Sequence, residues 1–525
     1  MSPSRLDAPW YLWLPPALAA FGVGLPLAFL LTHALSGSAE TIRHTLLHSR
    51  NLLLLGNTLA LTVAVLAGSG VTALALACLT VRTDLPGRKI VSVLAVLPLA
   101  VPGYLLAYTL LSVGGQMGLA ARWTGMELPR LTGFWGAALA LSIYNTPYMY
   151  LNLRVALQRL DPALEESSRN LGRSAWATFR SVVLPQLRPA FFAGGLIVAL
   201  HVIADFGVVS LLRFETFSYA LFASFEVYDL NGAAWLALMM LAVTAALLAV
   251  DFRYLKNVRL DIVGPATPRR RNPTRLGYWK PVAWVGVGLY LAAGVGIPVA
   301  TILFWLGHYD PGSVFYTWSE ALGNSVTTAL LAAVFAVAMA LPVAYLSRRR
   351  PSWISRLLER ATFIGYATPS LAFGLSILLL STWFDVLDGL RSTRWLLVYA
   401  MALHFMAEAV GPIRSSLFVA TPRLEEASRM LGRGPVRTYL TVTFPLLKTG
   451  LLAAAALVFL SALKELPLTF ILSPQDFPTL AKSVWDLSGE VDFAGAAPHA
   501  LAILICSTMF VSLLLLRGPE ARKAS

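Results

Sequence analysis

Two sets of charged residues recur in this chain at matching places. Glu165 and Glu166 are followed by Arg169, Gly172 and Arg173, then by Pro185; Glu425 and Glu426 are followed by Arg429, Gly432 and Arg433, then by Pro445. Forty residues after Glu165 stands Asp205, and forty after Glu425 stands Glu465, next to Lys464, all three in apolar surroundings. These groups do not compose a catalytic set, since no nucleophile–base arrangement or metal-ligand cluster stands out around them. Cys78 and Cys506 lie within apolar runs without metal-ligand spacing, which argues against a disulfide or a zinc site. The chemistry that remains is docking and ion passage. A charge at the centre of a bilayer costs at least ~2.5–3.5 kcal/mol, so an acid in an apolar span faces a cavity or a partner. Asp205, Glu465 and Lys464 are therefore candidates for a substrate path or gate, with an ion pair between an acid and Lys464 as the competing structural expectation. His201, His404 and Glu408 are further candidates of the same kind, although a packed histidine is the commoner case.

The first set carries helix punctuation. Asp161 suits an N-cap, Pro162 the first helical position, and Gly172 a helix terminus; Thr421, Pro422 and Gly432 repeat the arrangement. The glutamates sit towards the positive end of the helix dipole and the arginines towards the negative end. A helix over 161–173, and another over 421–433, has only about three turns, too few to cross a bilayer. From Leu164 to Pro185 and from Leu424 to Pro445, 11 of 22 positions are identical without a gap. Capping and dipole effects of about 0.3–1 kcal/mol each explain the order of charges. They do not explain why Leu171-Gly172-Arg173 recurs as Leu431-Gly432-Arg433, which points to duplication and to a partner with two-fold symmetry.

These helices are polar islands. Of 525 residues, 57% are hydrophobic and 13% charged, and mean hydropathy is +0.68. Soluble proteins carry roughly twice that charged fraction. Twelve apolar runs of spanning length are expected, at about 12–34, 56–80, 90–113, 133–152, 189–210, 232–251, 281–306, 324–346, 361–381, 395–413, 448–468 and 496–516. Lipid offers the backbone no hydrogen bonds, so the fold class is an all-α integral membrane protein. The net charge of +14 follows the topology: 32 of the 41 Lys and Arg fall on one side of these spans, eight on the other, and Lys464 within a span. That asymmetry predicts cytoplasmic termini and a lipid bilayer as the basic residues' neighbour, with no need for a nucleic-acid partner.

The repeat extends beyond the islands. Gly56-Asn57-Thr58 and Gly323-Asn324-Ser325 are offset by 267, as are Pro102 and Pro369. The expected organisation is an N-terminal span and outer loop (1–49), a first domain (50–255), a basic linker (256–280) containing Arg269-Arg270-Arg271, the first span of the second half with its outer loop (281–317), and a second domain (318–525). The prolines and charges of the linker suit a flexible, solvated connection. With six spans in each half, the copies share one orientation and leave a path between them.

Glu166-Ser-Ser-x-x-x-Gly172, then nine residues, then Val182-x-Leu184-Pro185 resembles the EAA motif of ABC importer permeases. Glu426-Ala-Ser-x-x-x-Gly432 with Val442-x-Phe444-Pro445 is a second match, with Phe444 in place of the usual leucine. The resemblance covers about 50–255 and 318–516 and implies a fused pair of permease domains. It also implies that both motifs form coupling helices inserted into a cytoplasmic ATPase dimer, and that a periplasmic binding protein delivers substrate. ATP and Mg would bind to the separate ATPase. This chain has no Gly-x-x-x-x-Gly-Lys-Ser/Thr phosphate loop and is expected to bind no cofactor or metal of its own and to be no enzyme.

The stretches Asp205–Phe217 and Lys464–Leu472 are similar to those of iron(III)-type permeases, which implies ferric iron as cargo in a bacterial inner membrane. Thiamine, phosphonate and polyamine permeases share the architecture. No repeated Glu-x-x-Glu motif lies within the spans, so iron coordination is not shown by the residues themselves. The rival from another class is an ion-coupled secondary transporter using Asp205 and Glu465, which leaves the repeated short helices without a purpose.

Overall fold

The computed structural model describes residues 12–36, 48–116, 118–257, 273–384, 388–391 and 393–516, and its regular elements there are all helical. Eight helices are long and apolar enough to cross a membrane: Leu14–Leu35, Ser49–Arg82, Leu230–Val250, Gly277–Leu306, Trp318–Arg349, Arg394–Phe418, Tyr439–Leu463 and Phe493–Phe510. Three further spans consist of two helices meeting at a sharp bend. The remaining expected span, the fourth, is the helix Gly133–Arg159, whose 27 residues are long enough but carry Ser142, Asn145 and Thr146 in mid-span.

The bends follow from proline. Arg88–Ala100 and Gly103–Val113 meet at 83°, and Trp353–Ala367 and Ser370–Trp383 at 106°. Pro102 and Pro369 offer no N–H to the preceding turn and push Val101 and Thr368 into extended conformations. The third and ninth spans, expected as continuous runs, are thus broken. Residues 100–109 and 368–377 are almost all buried, so the interrupted backbone faces protein rather than lipid. In the first half the fifth span also bends, by 59° between Ala175–Gln186 and Arg188–Ala204, with Pro189 just past the break. Its counterpart has Thr449 there and continues straight.

Within each half the long second span packs on the fourth: Ser49–Arg82 on Gly133–Arg159, and Pro311–Arg349 on Arg394–Val419. The first span of each half also crosses to the other. Leu14–Leu35 packs on Trp353–Ala367 and Ser370–Trp383, while Ile297–Leu306 packs on Gly103–Val113. The Tyr290 hydroxyl donates to the Ala95 carbonyl at 3.0 Å, and a Cβ on Gly294 would lie 2.7 Å from the Pro98 ring. Glycine is what permits this close approach, and the crossed spans bind the halves together.

The expected linker is docked where it can be seen. Arg269, Arg270 and Arg271 lie outside the described residues, but the segment from 273 is fixed against the loop after Arg82. Thr274 N–H donates to the Arg82 carbonyl at 2.8 Å, Asp84 N–H to the Thr274 carbonyl at 3.1 Å, and Leu276 N–H to Asp84 Oδ1 at 2.8 Å. Lys280 Nζ pairs with Asp84 Oδ2 at 2.9 Å. The Lys280 ammonium and the Leu276 amide hold the Asp84 carboxyl below its ordinary value. A depressed acid stabilises the folded form above its unfolded value and loses that contribution as pH falls through the folded one. Protection of 273–280 from proteolysis should therefore stay flat from pH 8 to about 5 and fall only below about 4, whereas Asp84→Asn should expose the segment throughout that range.

Candidate functional site

The two charged islands form equivalent short helices, Pro162–Asn170 and Pro422–Met430, each slightly shorter than expected. Asp161 caps the first, its side chain accepting from Ala163 N–H at 2.9 Å. Thr421 makes no such bond, so the second cap expected from sequence is absent and Pro422 opens the helix without it. Gly172 and Gly432 end the helices at φ of 82° and 78°, and each N–H turns back to the arginine carbonyl three residues before. This left-handed geometry is the one a side chain resists.

What fixes these helices is a pair of interactions that sequence reasoning missed. The carboxylate of Glu165 meets the Arg82 guanidinium at 2.5 Å, and that of Glu425 meets Arg349 at 2.9 Å. Arg82 and Arg349 are repeat equivalents, offset by the same 267 as the prolines. Both pairs are largely shielded from solvent. Glu165 and Glu425 thus hold the helices to the ends of the second spans, while Glu166 and Glu426 point outward and are exposed. Arg173 donates to Ser181 and Arg433 to Thr441, each at 3.1 Å, tying the helix ends to the next segment. Arg169 and Arg429 lie on the exposed side.

Ser181 and Thr441 each stand four residues before a proline, Pro185 or Pro445, whose ring would clash with that residue's carbonyl in a regular helix. The backbone widens there into π-helical turns, Phe179–Val183 and Tyr439–Thr443. The outward faces carry apolar side chains as well. Leu171 and Leu431, equivalent in the repeat, are 81% and 78% exposed, with Leu164 and Leu424 half-exposed beside them. Exposed leucines on a charged face, twice over, are a surface prepared for contact. Their recurrence was visible in the sequence, but only as shared identity.

The second region lies between the halves. A cavity of about 370 Å³ is lined by Tyr144, Tyr148, His201 and Ala204 from the first half, and by Tyr366, Ser370, His404, Glu408, Ser461, Lys464 and Glu465 from the second. A smaller one, about 140 Å³, shares several of these residues and adds Asp205 and Tyr104. The three substrate-path candidates, Asp205, Glu465 and Lys464, are thus brought together, and His201, His404 and Glu408 join them.

Asp205 and Glu465 also have a structural duty: Val208 N–H donates to Asp205 Oδ1 at 3.0 Å, and Leu468 N–H to Glu465 Oε1 at 3.2 Å. Each acid satisfies the start of a short helix, Gly207–Leu211 or Pro467–Leu472. The ion pair weighed for Glu465 with Lys464 is not formed. Lys464 Nζ donates instead to the Leu99 carbonyl of the first half, at 3.2 Å. Among the described residues, no three of His, Cys, Asp and Glu stand close enough to hold a metal ion.

Beyond these cavities, away from the short helices, four rings close the halves on each other. Phe206 and Phe222 of the first half meet Phe470 and Trp485 of the second with centroids 5.3–5.7 Å apart. Trp485 Nε1 also donates to Ser210 Oγ at 2.8 Å. Aromatic pairs at these spacings contribute about 0.5–1.5 kcal/mol each beyond burial. Trp485→Ala should therefore loosen this closure, raising thiol labelling of a cysteine placed at Ser370, while labelling at the exposed Leu171 position stays unchanged.

Arg82→Gln leaves the Glu165 carboxylate shielded without its cation, a local cost of about 3 kcal/mol. Faster hydrogen exchange over Pro162–Asn170 is expected, with Pro422–Met430 unaffected; Arg349→Gln should give the converse.

The family described as "Binding-protein-dependent transport system inner membrane component" matches residues 64–258 and 332–518, once in each half. The chain is 28% identical over 511 residues to the "Fe(3+)-transport system permease protein FbpB 2" of Haemophilus influenzae, covering 96% of this chain and 98% of that one. It is 24% identical over 435 residues to the "Ferric transport system permease protein FbpB" of Actinobacillus pleuropneumoniae, covering 78% of this chain and 63% of that one. A single-half match is the "Sulfate transport system permease protein CysT" of Escherichia coli, 29% identical over 187 residues, 34% of this chain and 68% of the relative. With that family's pattern in both of its halves, the chain belongs to the binding-protein-dependent transport system inner membrane components, as two permease domains in one polypeptide.

Proposed function

We propose that the chain is the membrane-spanning permease of an ATP-driven importer, in a bacterial inner membrane with both termini cytoplasmic, and that its cargo is ferric iron. The observation that carries the first part is the pair of equivalent helices, each braced by a shielded Arg–Glu contact and each presenting an exposed leucine and glutamate. Bracing makes such a helix a rigid handle, and its exposed face fits a cleft on each of two identical ATPase subunits. ATP and Mg act on those subunits, and a binding protein hands cargo to the opposite face. Closure of the ATPases draws the handles together and rocks the halves, so the cavity between them opens to alternate sides.

Iron is supported by two relatives whose names specify ferric transport, one of them covered over 98% of its length. It is also supported by the cavities, which gather three carboxylates (Asp205, Glu408 and Glu465) against one ammonium. That balance favours a cation over an oxyanion such as sulfate. Phenol and carboxylate oxygens are hard donors suited to a hard cation in transit.

Gly172→Val combined with Gly432→Val tests the docking. A β-branched residue at a left-handed position costs about 1–2 kcal/mol and dislocates each helix end. Loss of ATPase co-purification and of ATP-driven uptake is expected, with the chain still inserted; undiminished coupling would sink the proposal. Proteoliposomes holding the whole complex should accumulate radioactive ferric iron but not sulfate when ATP is supplied, and an ionophore should not abolish it.

A further inference from the structure

The two halves are near-copies, so the positions where the cavity departs from two-fold symmetry show what the second half has acquired. Helix Arg394–Val419 corresponds to Gly133–Arg159 at an offset of 260, which pairs Glu408 with Tyr148 and His404 with Tyr144. The same offset pairs Lys464 with Ala204, Ser461 with His201, and Glu465 with Asp205. The acids at 205 and 465 are a symmetric pair with a symmetric capping duty. Glu408 and Lys464 are not: the first half offers a phenol and a methyl group in their places. A carboxylate and an ammonium present together in one half, and absent together from the other, form one functional unit.

Their surroundings separate the two. The Ser461 hydroxyl donates to the Glu408 carboxylate, 2.8 and 3.0 Å from its oxygens, and the Tyr366 hydroxyl is within reach. A carboxylate has about four acceptor sites, so capacity remains on the side facing the cavity. Lys464 interacts with Glu408 electrostatically but makes no direct ion pair with it. Its ammonium is held on the Leu99 carbonyl, at the end of the helical turn Leu97–Ala100 and beside the bend at Pro102. The negative end of a helical turn attracts a cation. The Tyr104 hydroxyl, buried at the adjoining cavity, has no partner, and neither has His201 Nδ1. These are unfilled positions for a ligand in the same space.

We propose that Glu408 is the carboxylate on which a hard, multiply charged metal cation rests in transit, and that Lys464 is a tethered counter-cation that expels it. The bond from Lys464 to Leu99 crosses between the halves. It is made in the arrangement seen here, where the ammonium is withheld and Glu408 is free for cargo. When the halves rock apart the bond breaks, the ammonium turns to Glu408, and the cargo loses its ligand. The site is thereby neutralised without cargo, which resets it for the next cycle. Lys464 is a positioning and release residue, and Glu408 the binding one.

The inference rests on the ferric-iron reading, and the experiment separates the two. Complexes of the full chain with its ATPase and binding protein are loaded with radioactive ferric nitrilotriacetate, and both iron retained after gel filtration and ATP-driven uptake are measured. Lys464→Gln keeps a hydrogen-bond donor for Leu99 but removes the charge. Iron retained by the permease should rise about tenfold, the effect of removing about 1.4 kcal/mol of competition, while uptake falls and ATP hydrolysis persists. Lys464→Arg, which keeps the charge, should retain iron as the wild type does, and Glu408→Gln should lose both retention and uptake. Unchanged or lower retention in Lys464→Gln, with wild-type uptake intact, overturns the expulsion role and leaves the cargo standing. Should Lys464→Gln fail to insert, elevated retention in Lys464→Arg would equally overturn it. Absence of ferric uptake by the wild type overturns the cargo reading and this inference with it.

Discussion

Hydrocarbon offers no hydrogen bonds, and that constraint decides where this chain can be irregular. A polar cavity in mid-membrane needs backbone that turns and side chains that converge, both of which a straight apolar helix denies. The chain resolves this at Pro102 and Pro369, where two spans bend by 83° and 106° with their broken turns buried among other helices. Asp205 and Glu465 then occupy the starts of two further short helices, accepting N–H groups that would otherwise be stranded. The same carboxylates line the space between the halves. Structural satisfaction and cavity chemistry are therefore shared by the same two residues, which is why their burial alone does not decide their role.

Two-fold repetition supplies the second layer of order. Features preserved in both copies belong to what the halves do alike: the Arg–Glu brace, the left-handed glycine, the proline with its widened turn, and the exposed leucine. Features confined to one copy belong to what the halves do differently. Glu408 and Lys464 lie in the second group, as does Phe470 in the aromatic closure. Chemical difference is thus concentrated at the cavity and sameness at the docking end.

Much of this was legible in the sequence because it is local. Helix punctuation around Asp161, Pro162 and Gly172 depends on neighbours a few residues away, and apolar length marks most spans directly. The missed features are those whose partners are remote. Arg82 lies 83 residues from Glu165, and nothing local announces the pairing, although the shared offset of Arg82 and Arg349 was available to find it. The tyrosines of the cavity read as ordinary packing residues until the bends bring their helices together. Thr421 looked like a cap because its type and position were right, yet Pro422 already fixes the first helical φ and dispenses with one N–H, leaving less for a cap to satisfy. The crossed first spans and the docked linker end are tertiary facts with no local sign.

The docking end and the cavity are joined by one element in each half, and the two joins differ mechanically. In the second half, Phe444–Leu463 runs unbroken from Pro445 at the docking end to Lys464 and Glu465 at the cavity, 20 residues and so about 30 Å of straight helix. In the first half the equivalent path bends by 59° beside Pro189 before reaching Asp205. A straight helix transmits a displacement along its axis, whereas a bend converts part of it into rotation at the break. Lys464, one of the two charged residues that differ between the halves, stands at the end of the straight path. A movement of the helix Pro422–Met430 is thus delivered most directly to Lys464, the side chain whose bond to Leu99 spans the two halves.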